Sequence, residues 1–96
     1  MKKKKYYYKR TVKRITKMVQ YYIDNLDTLP FLSTICVNPH TSDVRLNDEP
    51  ADEPYFIHAA VFFTDRIDKD HRVPDLRSIE HWVLVDLKRF AAANPS

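Results

Sequence analysis

The segment from Tyr8 to Leu29 constrains the fold of this chain more than any other. Steps of three and four residues along it always reach an apolar or aromatic side chain: Tyr8, Val12, Ile15, Val19, Tyr22, Leu26 and Leu29. This spacing places all seven side chains on one stripe of an α-helix. The sequence therefore predicts a helix from Tyr8 to about Asn25 or Asp27, which Pro30 prevents from continuing.

The rest of this predicted helix, and the residues before it, are strongly cationic. Residues 1–20 contain nine lysines or arginines and no acid, whereas the remaining 76 residues contain all 13 acids. Such segregation of charge is typical of an interaction surface. We expect residues 1–7 to form a basic, flexible N-terminal tip, and residues 8–96 to form a single domain with an acidic loop at 48–54.

Composition excludes several classes of site. The chain has no glycine, so it contains no Gly-rich phosphate-binding loop. Cys36 is the only cysteine, which excludes an intramolecular disulfide, and its apolar neighbours predict a buried packing role. No stretch is long and apolar enough to span a membrane, so we expect a cytoplasmic protein with no membrane partner.

The middle of the chain predicts three strands. Phe31 to Val37 is rich in β-branched residues and precedes a turn, Val44 and Leu46 alternate with polar residues, and Tyr55 to Thr64 is nearly continuous in apolar residues. The last of these segments is expected to be the central strand, buried on both faces. The charged segment from Asp65 to Pro74 is expected to be a loop.

A second helix is predicted after Asp75, which is suited to cap it. Its apolar stripe consists of Leu76, Ile79, Val83, Leu87 and Phe90. The β-branched residues in Trp82 to Val85 also allow a strand there, but the flanking segments favour a helix. The predicted fold class is α+β, with the order α-β-β-β-α and a three-stranded antiparallel sheet covered by two helices.

This order is similar to that of double-stranded-RNA-binding domains, and the turn Asn38-Pro39-His40 resembles the Gly-Pro-His turn of those domains. The likeness would imply binding of duplex RNA. However, the lysine cluster that those domains carry at the start of the second helix is replaced here by Asp75, Leu76, Arg77 and Ser78. Since topology alone does not assign function, we assign the chain to no family.

A second group of polar residues, Asp65 to His71, lies between His58 and His81. Carboxylates and imidazoles together can bind a metal, and Asp70-His71 with Pro74 is similar to the first motif of His-Asn-His nucleases. The rest of that motif is absent, so a metal-dependent nuclease is a distant alternative. We predict a solvated loop here, and a protein with no enzymatic activity, metal or cofactor.

The leading hypothesis is a small binding protein that contacts nucleic acid. Lysine and arginine neutralise phosphates, and exposed tyrosine rings can stack on unpaired bases. The expected binding residues are Lys2, Lys3, Lys4, Lys5, Tyr6, Tyr7, Lys9, Arg10, Lys13, Arg14 and Lys17. Tyr6, Tyr7, Tyr21 and Tyr55 are the tyrosines expected to remain partly exposed.

An acidic protein surface is the alternative partner for the same residues. The chain would then be an interaction module, or an inhibitor or accessory protein of the kind that phages and mobile elements encode. Because the chain supplies both a basic helix and an acidic loop, a homo-oligomer is a further option.

Overall fold

The computed structural model describes residues 7–48, 56–68 and 70–94. Helix α1 spans Tyr8–Asp24 and helix α2 spans Leu76–Ala93. Between them lie five strands: β1 (Ile35–Val37), β2 (Val44–Leu46), β3 (Ile57–Ala59), β4 (Phe63–Asp68) and β5 (His71–Pro74). The first three form an antiparallel sheet in the order β2-β1-β3, and β4 pairs with β5 in a separate two-stranded sheet. The predicted α+β fold with two helices and a three-stranded antiparallel sheet is therefore confirmed.

The core lies between the helices and one face of the larger sheet. Ile15 and Val19 of α1 meet Ile79, Val83 and Leu87 of α2 in one cluster of buried side chains. Ile35 and Val37 complete it from β1. In register with them, Leu46 and Ala59 flank Ile35, and Val44 and Ile57 flank Val37. The apolar stripe predicted for each helix is thus the face that packs in the core.

The start of α2 follows its local sequence signals. Asp75 precedes the helix, and its carboxylate accepts hydrogen bonds from the Ser78 backbone N–H at 3.3 Å and from the Ser78 hydroxyl at 2.9 Å. These bonds satisfy one of the N–H groups that a helix start leaves unpaired. The segment Trp82 to Val85 is helical, as the flanking pattern predicted.

The central strand is not the one that the sequence predicted. β1 occupies the middle of the larger sheet, and all three of its residues are fully buried. The predicted central strand, Tyr55 to Thr64, is divided: Ile57–Ala59 pairs with β1 at an edge of the sheet, and the chain from Phe63 pairs with β5. Tyr55 lies outside the described residues. A continuous apolar run does not show where a strand changes partners.

Two other boundaries also differ from the prediction. The predicted strand from Phe31 shortens to Ile35–Val37, because the Asn47 side chain accepts hydrogen bonds from the backbone N–H groups of Ser33 and Thr34. The predicted loop from Asp65 to Pro74 contains the end of β4 and all of β5. Asp70, in the connection between these strands, has a φ of 69°, a left-handed conformation that tight hairpin turns use.

Candidate functional site

The exposed side of α1 carries a ridge of cations. Lys9, Lys13 and Lys17 are all exposed and follow one another at intervals of four residues, which places them along one face of the helix. The buried stripe fixes this orientation, because Ile15 and Val19 have no exposed surface. Within the described part of the chain, none of the three lysines forms an ion pair. The described residues therefore provide no acidic partner that would offset the repulsion among the three lysines.

Arg10 extends the cationic face toward the start of the helix. Its guanidinium lies 4.6 Å from the centroid of the half-buried Tyr7 ring, an arrangement in which the ring face attracts the cation. Tyr7 is held in turn by its backbone, which donates a hydrogen bond to the Pro39 carbonyl and accepts bonds from Thr11. Because Arg10 covers one face of the Tyr7 ring, at most the other face is open to a ligand.

Arg14 differs from the other cations of α1. Its Nη1 donates a hydrogen bond of 3.0 Å to the backbone carbonyl of Ser42, in the turn between β1 and β2. The bond ties the helix to the sheet across 28 residues of sequence. Arg14 is thus exposed, as expected for a binding residue, but part of its hydrogen-bonding capacity is used to position α1.

The remaining residues predicted for the site are Lys2, Lys3, Lys4, Lys5 and Tyr6, which lie outside the described residues. The same holds for residues 49–54 of the acidic loop. Asp48, the first residue of that loop, is described and is exposed.

The histidines do not form a common site. His58 is exposed on β3, with its Nδ1 3.5 Å from the Sγ of buried Cys36. His71 lies on β5 and its Nδ1 is buried without a hydrogen-bond partner, while His81 is exposed on α2. No group of three or more His, Cys, Asp or Glu side chains in residues 7–48, 56–68 and 70–94 is arranged to hold a metal ion.

Sequence reasoning missed a groove at the end of the lysine ridge. An open groove of about 440 Å³ is lined by Lys17, Met18, Tyr21, Tyr22, Leu29 and Leu46. Tyr21, which follows Lys17 at the next four-residue interval, is 60% exposed, as predicted. The four-residue interval between Lys17 and Tyr21 is the one feature of the sequence that points to this groove. Leu29 and Leu46 reach the groove from beyond the helix, so helical spacing could not reveal it.

A second groove lies between the helices. It has a volume of about 290 Å³ and is lined by Val12 of α1 together with Arg77, Glu80, His81 and Leu84 of α2. Because Glu80 and Arg77 both line this groove, its lining has mixed charge, in contrast to the lysine ridge.

Neither described helix is both long and apolar enough to cross a membrane. Comparison of the chain with protein-family models, with curated proteins and with solved structures gives no match.

Proposed function

We propose that this protein is a non-enzymatic binding protein that contacts nucleic acid through the cationic face of α1. The observation that supports the proposal most directly is the ridge of Lys9, Lys13 and Lys17. These exposed lysines stand on one rigidly packed helix and form no ion pair with the described residues. Arg10 adds a fourth cation on the exposed side of the helix.

Phosphates are the ligands that suit such a ridge. A nucleic acid carries closely spaced negative charges, and each phosphate neutralised by a lysine releases condensed counterions, which favours binding. The like-charge neighbours at intervals of four residues destabilise an isolated helix by roughly 0.2–0.5 kcal/mol per pair. A bound polyanion would offset this repulsion by its attraction to each lysine. Lys2 to Lys5 would extend the contact beyond the helix.

The test is the salt dependence of binding to a labelled oligonucleotide, followed by fluorescence anisotropy. The variant carries Lys13→Glu and Lys17→Glu. Its matched control carries Lys88→Glu and Arg89→Glu, which change the net charge equally at exposed positions on α2. We expect the Lys13/Lys17 variant to bind more weakly and to lose about 1.4 from the log–log salt slope for a single strand, at about 0.7 per phosphate contact.

The control variant should keep most of the parent affinity. Equal losses in both variants would mean that net charge, and not the ridge, determines binding. No binding by the parent protein near physiological salt would overturn the proposal.

An acidic protein surface is the second candidate partner, and charge segregation favours it. Residues 21–96 carry an excess of acids, so the acidic surface of a second copy could bind the cationic face of α1. In that case the parent protein should self-associate at low salt in analytical ultracentrifugation, and Lys13→Glu with Lys17→Glu should abolish the association without any nucleic acid present.

A further inference from the structure

The groove at the C-terminal end of the lysine ridge has the form of a small binding site. Its volume of about 440 Å³ lies within the range of roughly 300–1,000 Å³ that ligand sites occupy. Met18, Leu29 and Leu46 make its lining mainly apolar, and Tyr21 contributes a large aromatic ring that is 60% exposed. A flat, partly apolar group of a ligand would bury apolar surface against these side chains, which favours its binding over exposure to water.

One residue that lines this groove, Tyr22, is hydrogen-bonded to Asn47. The Asn47 side-chain oxygen accepts a bond of 2.7 Å from the Ser33 N–H, and its nitrogen donates to the Phe31 carbonyl at 2.9 Å. These two bonds fix the orientation of the amide. The same nitrogen donates to the Tyr22 hydroxyl oxygen at 3.3 Å. The Tyr22 hydroxyl donates to no described residue, so its hydrogen can bond to an acceptor on a ligand.

The charge next to the groove indicates what that ligand carries. Lys17 lines the groove, and Lys13 and Lys9 continue from it along the same helix face. An anionic chain bound along these lysines would therefore arrive at Tyr21. The groove thus combines an aromatic platform, a hydrogen-bond donor and a line of cations that leads away from it.

We propose that this groove binds one unpaired base of a single-stranded nucleic acid, which stacks on the Tyr21 ring while the neighbouring phosphates contact Lys17 and Lys13. The inference rests on the proposed function and narrows it from nucleic acid to single strands. Bases in a duplex are stacked on each other and have no free face, whereas an unpaired base can turn out onto an aromatic side chain. The lysines alone would bind both forms.

The experiment compares three ligands with four proteins. The ligands are a labelled 15-nucleotide thymidine strand, a labelled duplex, and a strand of equal length and charge with an abasic site at every position. The proteins are the parent, Tyr21→Ala, Tyr21→Phe, and the variant that carries Lys13→Glu and Lys17→Glu. Because Tyr21 is mainly exposed, neither substitution is expected to unfold the protein; circular dichroism verifies this.

Tyr21→Ala should weaken binding of the thymidine strand roughly 5- to 150-fold, the loss of one base–aromatic stack. Tyr21→Phe should restore it, and neither change should alter binding of the duplex or the abasic strand by more than about twofold. If Tyr21→Ala binds all three ligands like the parent while the Lys13/Lys17 variant loses affinity, the base site is wrong and the cationic interface stands. If the parent binds none of the ligands, both proposals fail.

Discussion

The two helices cover the same sheet, but they are specified in different ways. Asp75 is the N-cap residue of α2, and its carboxylate caps the helix through Ser78. The N-cap residue of α1 is Tyr7, which makes no side-chain capping bond, and the first turn of α1 carries Lys9 and Arg10 but no acid. At its other end Asp24 faces the negative pole of the helix dipole. The charges of α1 thus oppose its dipole at both ends.

The charges of α1 therefore do not stabilise the helix through its dipole, and Arg77 likewise places a cation in the first turn of α2, where the Asp75 cap compensates. Sequences usually agree with their structure at every level, and local conflicts concentrate where a protein has a function. α1 forms because its apolar stripe is buried, and its N-terminal cations reduce its stability. The conflict in α1 agrees with our proposal that its cationic face binds a partner.

The largest expected effect tests whether tertiary packing holds α1 in place. Ile15→Ala should lower the free energy of unfolding by about 2–5 kcal/mol, since the side chain is fully buried and its loss leaves a cavity. Ile79→Ala is the matched change in α2, where burial is also complete. Urea unfolding followed by circular dichroism measures both. A loss below about 1 kcal/mol for Ile15→Ala would contradict the packing argument.

The next effect concerns the side-chain N-cap of α2. Asp75→Ala should cost about 0.5–2 kcal/mol, because the Ser78 N–H loses its acceptor. Asp75→Asn, which retains a capping oxygen, should cost clearly less. Equal losses in the two variants would show that the charge of Asp75, and not its hydrogen bond, stabilises α2.

The sequence predicted those parts of the fold that depend on local rules. The stripe of α1 and the cap of α2 follow from spacing and from one residue type at a helix start. The short β1 did not, because the Asn47 amide that binds Ser33 N–H lies 14 residues away. The hairpin of β4 and β5 was also missed, since Asp65, Arg66 and Ile67 are exposed and leave no buried alternation to detect.

The same distinction applies to the candidate site. Exposure of the lysine ridge follows directly from its position away from the buried stripe. The role of Arg14 does not, because its bond to the Ser42 carbonyl joins segments that only the fold brings together. The groove beside Tyr21 was missed for the same reason, since Leu46 reaches it from β2.

The smallest expected effect on stability comes from replacing the cation in the first turn of each helix. The same substitutions should affect oligonucleotide binding differently in the two helices. Lys9 and Arg77 are each the second residue of their helix, and both are exposed. Lys9→Glu should raise the free energy of unfolding by about 0.3–1 kcal/mol, because an anion favours the positive end of the dipole. A new Glu-to-Lys13 pair at an interval of four should add about 0.2–0.5 kcal/mol. Both gains should shrink as salt is added.

Arg77→Glu should give a similar dipole gain in α2, and it serves as the matched control for binding. If the α1 ridge is the interface, Lys9→Glu stabilises the protein and weakens its binding to oligonucleotides, while Arg77→Glu stabilises it with a smaller effect on binding. Urea unfolding and anisotropy on the same samples measure the two quantities. A Lys9→Glu variant that is more stable and binds as tightly as the parent would remove Lys9 from the interface. A Lys9→Glu variant that is less stable than the parent would show that the cation in the first turn of α1 does not destabilise the helix through its dipole.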